Sequence, residues 1–231
     1  MKEKVKQLMF DAIEHPRPEI IKPYLLSVWN QPFFYKIDQA QALTVSYNPT
    51  DKGARTNYPE MIEEYKRNGR IETDRIYNTL YNFKKEEYWR RNYDIIFSEL
   101  GINIDNIAHM DVSFFPYSTL DLCKEYSPVD DTKKYLLSCI DILKEQLKYI
   151  FVDGKRNRDI IYLLCKDYKL YKATKMPVNG SNREYELLIF KHNNLNTYLI
   201  YYGCFLYGAT TPKKECVLEI ARYIRDSIQE Y

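Results

Sequence analysis

The chain has 231 residues, 45% hydrophobic and 29% charged, which is enough to bury a core without disulfide or metal support. A formal net charge of +2 excludes a polycation, so any grip on nucleic acid has to come from a local basic face. Five cysteines with no CxxC pair and three scattered histidines argue against a disulfide scaffold and a zinc module, so no metal is expected.

The N-terminal segment is charged and amphipathic, with Val5, Leu8, Met9, Ala12 and Ile13 at helical spacing, unlike the apolar centre of a secretory leader. No stretch approaches the roughly 20 apolar residues of a membrane span. A soluble, cytoplasmic monomer with reduced cysteines is the expectation. A proline-rich segment at 16–32 breaks the first helix, leaving about residues 1–35 as a helical extension on a single domain spanning 1–231.

Residues 42–47 read as a buried strand stopped by Asn48-Pro49. The charged stretch 51–91 reads as loop and helices. Tyr93, Ile96, Phe97 and Leu100 share a helix face that Gly101 terminates. A second strand is predicted over 106–114. A helix follows, carrying Leu136, Ile140, Leu143 and Leu147, with Asp130 or Asp131 near its N-cap. A third strand at 148–152 ends in Asp153-Gly154, and Ile160, Ile161 and Leu164 mark the next helix. A fourth strand at 184–190 ends at Lys191-His192. Pro212 opens a last helix with Val217, Ile220, Ile224 and Ile228 inward.

Strands alternating with helices predict a three-layer α/β/α fold around a mostly parallel four-stranded sheet. In such folds the ligand lies beyond the carboxyl ends of the strands. Asn48, His109 or Asp111, Asp153 and His192 all fall near predicted strand ends, as if facing one crevice.

Four segments taken together resemble the uracil-DNA glycosylase superfamily. They are Val45-Ser46-Tyr47-Asn48-Pro49-Thr50, Ile107-Ala108-His109-Met110-Asp111-Val112-Ser113, Tyr149-Ile150-Phe151-Val152-Asp153-Gly154-Lys155 and Leu188-Ile189-Phe190-Lys191-His192-Asn193-Asn194. Tyr202-Gly203-Cys204-Phe205 and the last helix look like the family's tail. The resemblance covers about residues 40–228. It departs where the first motif lacks its opening Gly and the fourth lacks Pro-Ser-Pro after His192.

The resemblance implies a monofunctional DNA glycosylase that flips out a pyrimidine-type base and hydrolyses its N-glycosidic bond. It makes Asn48 and His192 the catalytic pair, Asn48 holding the attacking water and His192 donating to O2 of the leaving base. Base contact falls to Asp111, with His109 as a rival occupant, and Tyr47, Tyr58 and Phe114 are candidate stacking rings. Asp111 stands where the family often has Asn. A carboxylate only accepts, which suits the exocyclic amine of a cytosine-type base better than uracil. Some phage-defence glycosylases of this superfamily act on hypermodified cytosine, so a defence role is compatible. Lys52, Arg55, Lys155, Arg156 and Arg158 are the foremost phosphate contacts, with further basic clusters at 66–70, 84–85 and 90–91.

Two rival readings remain: an inactive member that binds DNA or a modified base, and an unrelated α/β nucleotide-binding protein. No Walker-type or GxGxxG segment supports the latter.

Overall fold

In the computed structural model the described residues are 1–17, 30, 32–47, 59–83, 87–114, 127–178, 183–206 and 212–229. The helical spacing at the N-terminus yields α1 (Lys2–Ile13), whose Val5, Met9, Ala12 and Ile13 are buried. Its end is closed by Asn30, whose Nδ2 donates to the carbonyls of Ala12, Ile13 and His15 at 2.8, 3.1 and 3.0 Å. These are carbonyls that a helix terminus leaves without partners of its own.

Among the described residues seven strands form one mixed sheet in the order β1-β3-β2-β4-β7-β6-β5. They are β1 (Phe33–Phe34), β2 (Ala42–Ser46), β3 (Ile107–Asp111), β4 (Tyr149–Asp153), β5 (Tyr168–Pro177), β6 (Glu184–His192) and β7 (Tyr198–Tyr202). β4 runs parallel to both β2 and β7. Gln41 N–H donates to Asn106 O near the start of β3, and Val112 N–H donates to Ser46 O past its end, so β2 and β3 also run parallel. Every residue of β2, β3 and β7 is buried, as in parallel strands covered on both faces.

Four parallel strands, β3-β2-β4-β7, form the centre of the sheet, but the sheet has seven strands among the described residues and not the expected four. β1 pairs antiparallel with β3, Phe34 opposite His109. At the other edge β7, β6 and β5 form an antiparallel meander. One expectation needs correcting. The strand predicted over 184–190 is β6, and it runs against the core. The fourth parallel strand is β7. Only residues 193–197 separate β6 from β7, too few for a parallel crossover, which takes a dozen or more.

The other α-helices among the described residues are α2 (Pro59–Asn68), α3 (Thr73–Asn82), α4 (Glu87–Glu99), α5 (Pro128–Leu143), α6 (Arg158–Leu164) and α7 (Lys214–Gln229). Helix α5 begins earlier than Asp130. Pro128 occupies its first turn, and Ser127 O accepts from Asp130 N–H at 3.0 Å. Leu147 lies beyond its end, and α7 starts two residues after Pro212.

The chain divides into two compact units. The first comprises Met1–Asp38, Ser46–Phe83 and His109–Leu143; the second comprises Gln39–Val45, Lys84–Ala108 and Lys144–Tyr231. In the first, α1 packs on α3 and α5, with Phe10 edge-on to Tyr77 at 5.5 Å. In the second, α4 and α7 pack together, and Tyr93, Phe97, Phe151, Ile200, Ile220 and Ile224 join one apolar cluster.

Gly154 ends β4 with φ +87°, and a Cβ there would meet the Phe205 ring at 2.1 Å. Its N–H donates to Tyr202 O at 2.8 Å. Gly154→Ala combines forbidden backbone with a clash, and is expected to destabilise the protein by about 1–3 kcal/mol. Urea unfolding checks this, and an unchanged midpoint would show that Phe205 yields freely and that the backbone relaxes.

Candidate functional site

The first unit contains the carboxyl ends of β2 and β3. Residues two apart on a strand share a face, and this brings His109 and Asp111 together. His109 Nε2 lies 3.2 Å from Asp111 Oδ1, with the two side chains only 3% and 1% exposed. Phe34 stacks on the imidazole at 5.6 Å between ring centroids. Asp111 Oδ2 is buried with no hydrogen-bond partner, and so is Ser113 Oγ. Buried polar atoms are nearly always satisfied, so two orphans two residues apart are unusual.

The backbone explains why neither atom is served locally. Asp111 N–H donates to Pro32 O, Val112 N–H to Ser46 O and Ser113 N–H to Tyr47 O, at 3.0, 3.0 and 2.8 Å. Val112 and Ser113 both turn their N–H groups to the β2 side, which breaks the strand's alternation and ends β3. Tyr47 is half-buried at the end of β2.

Phe114 requires a correction. It is fully buried, 5.0 Å from the Tyr135 ring and 6.4 Å from His15, so it is a core residue and not a ring presented for base stacking. His15 is held in the same cluster by Asp131 Oδ2 at Nε2 (2.7 Å) and by the Tyr135 hydroxyl at Nδ1 (2.9 Å). Asn48, Lys52, Arg55 and Tyr58 lie outside the described residues.

In the second unit the carboxyl ends of β4 and β7 meet at Asp153, which is 1% exposed. Its Oδ1 accepts from the Tyr93 hydroxyl and its Oδ2 from Leu206 N–H, both at 2.7 Å. Its carbonyl accepts from Asn157 Nδ2, while Asn92 Nδ2 donates to Leu206 O. Asp153 thus joins β4 to α4 and to the chain leaving β7. Burial pushes its carboxyl up to about 6, against the smaller opposing effect of these hydrogen bonds. Burial also raises the Cys204 thiol to about 11, which makes it a poor nucleophile.

His192 is not at this end. Tyr202 and Asp153 pair with each other, whereas His192 pairs with Tyr168, and its neighbour Lys191 pairs with Tyr198, where β7 begins. The antiparallel course of β6 carries His192 to the amino-terminal end of β4 and β7. There its Nδ1 accepts from Asn194 N–H and Leu195 N–H, both at 3.1 Å, and its ring stands edge-on to Tyr168 at 4.9 Å. It organises the turn at 193–197. The expectation that it shares a strand-end crevice with Asp153 is overturned by strand direction.

Lys155 is exposed directly after β4, and Arg158 is ion-paired with Glu186 at 3.3 Å; the side chain of Arg156 lies outside the described residues. Among the described residues no group of three or more His, Cys, Asp or Glu side chains is placed to hold a metal ion. No described helix is long and apolar enough to cross a membrane. No protein-family model matches the chain, and no curated protein matches it. Sequence reasoning passed over Ser113. Its signal is chemical: a small hydroxyl just past a buried strand carboxylate.

The Asp153 carboxyl has a higher pKa in the folded chain than the ordinary 3.8, so the folded state takes up its proton more readily. Its stabilising contribution is full below the unfolded pKa and is lost as pH rises through about 6. Relative to Asp153→Asn, the wild type should lose about 1 kcal/mol of unfolding free energy between about pH 5 and pH 8. Parallel stability–pH curves for the two proteins would contradict this assignment.

Proposed function

We propose that this chain binds DNA and takes a flipped-out pyrimidine-type base against Asp111, as a monofunctional DNA glycosylase working without metal or cofactor. One observation carries the reading: a buried carboxylate at the carboxyl end of β3, one oxygen engaged by His109 and the other without a partner. That is the segment to which the resemblance assigns base reading. Tyr47 at the end of β2 is the remaining described candidate for stacking.

Hydrolysis adds water at C1′ of the sugar while the base departs with the bonding electrons and takes up a proton. In this reading Asn48 orients the water. The leaving-base hydrogen bond expected of His192 has no support from the position of that residue in the β6–β7 turn. This observation favours a second reading, in which the chain recognises the base and does not cleave.

Base release from duplexes carrying uracil, cytosine, 5-hydroxymethylcytosine or its glucosylated form, read by alkaline cleavage, separates the two. For the glycosylase, Asp111→Ala should cost at least tenfold, the scale of one charge-assisted hydrogen bond of about 1.5–3 kcal/mol, while His192→Ala stays within a few-fold. Binding without release from any substrate would establish the second reading. Release that His192→Ala abolishes and Asp111→Ala leaves intact would contradict the assignment to β3.

A further inference from the structure

Ser113 has no place in the reading so far, yet its hydroxyl is 0% exposed and unpartnered. It lies two residues from Asp111, so the two Cα atoms are at most about 7 Å apart. The nearest backbone donors are already consumed by Pro32, Ser46 and Tyr47 carbonyls, and Asp111 Oδ1 is committed to His109. A buried hydroxyl and a buried carboxylate oxygen left this way cost free energy, unless something from outside the chain completes them.

We propose that Asp111 and Ser113 act as a pair that selects a cytosine-type base over uracil, an inference that rests on the base-binding reading above. The cytosine edge presents an amine donor at N4 beside an acceptor at N3. Asp111 Oδ2 accepts from the amine, and the Ser113 hydroxyl donates to N3. Because the serine supplies that proton, neither the carboxyl nor the base has to be protonated first. Uracil presents the reverse pattern, a carbonyl oxygen at O4 facing the carboxylate and an N3–H facing the hydroxyl. The hydroxyl can turn to accept, but the carboxylate cannot donate. Substituents on C5 lie off this edge, so the pair accepts 5-hydroxymethylcytosine as readily as cytosine.

The test uses duplexes of one sequence with cytosine, uracil or no base opposite an abasic residue, which removes the cost of unpairing. The probe nucleotide carries a 2′-fluoro sugar that resists glycosidic cleavage. Dissociation constants are measured by fluorescence anisotropy at one salt concentration, with thermal unfolding as a folding check.

The wild type should bind the cytosine duplex at least tenfold more tightly than the uracil duplex. Ser113→Ala should shrink that ratio several-fold without changing affinity for the baseless duplex. Asp111→Asn, whose amide can donate, should shift preference towards uracil. Equal binding of cytosine and uracil, both tighter than the baseless duplex, would overturn the pair while leaving base binding intact. An unchanged ratio in Ser113→Ala would overturn it as well. Indifference of the wild type to all three duplexes would instead sink the base-binding reading beneath it.

Discussion

Strand direction is the constraint on which the placement of every polar group depends. The chain has room for crossovers between its parallel strands: α2 to α4 lie between β2 and β3, α5 between β3 and β4, and α6 with the β5–β6 hairpin between β4 and β7. Between β6 and β7 it has only residues 193–197, and β6 therefore runs backwards. The same short turn that reverses β6 uses His192 as its internal acceptor. A residue cannot both organise that turn and stand at the carboxyl ends of β4 and β7.

The two buried aspartates at strand ends illustrate opposite solutions to one energetic problem. Asp153 is satisfied from within its unit: a tyrosine hydroxyl from α4 and a backbone N–H after β7 take its two oxygens. It holds structure together and has little capacity left for a ligand. Asp111 is satisfied on one side only, and its neighbour Ser113 not at all. Buried polar groups without partners are costly. The contrast separates a carboxylate with both oxygens engaged within the chain from one that keeps an oxygen unengaged.

Much of the fold was legible. Apolar runs closed by Asn48-Pro49 and Asp153-Gly154 marked β2 and β4, and helical spacing marked α1, α4, α6 and α7. The seven-strand sheet was not legible as such, for physical reasons. β5 is an edge strand carrying Lys169, Lys172 and Lys175, residues that guard an edge and blur the apolar signal of a strand. β7 was overlooked because its apolar run follows so closely on β6, although Asn193, Asn194 and Asn196 between them are hairpin residues. At the candidate site, His109 and Asp111 were singled out from sequence and do come together. Phe114 failed because apolar character does not tell a stacking ring from a core ring. Ser113 was passed over because its place just past Asp111 does not tell that its hydroxyl lacks a partner, which is a property of packing.

A base taken up at the end of β3 must perturb the amides of that strand, which chemical-shift mapping reads residue by residue. Isotope-labelled protein would be titrated with a duplex carrying a non-cleavable 2′-fluoro cytidine opposite an abasic residue. Asp111, Val112 and Ser113 should shift with the cytosine duplex and not with its baseless counterpart, while Asn194 and Leu195 beside His192 stay in place. Base-dependent shifts gathered at Asn194 and Leu195, with β3 unmoved, would contradict it.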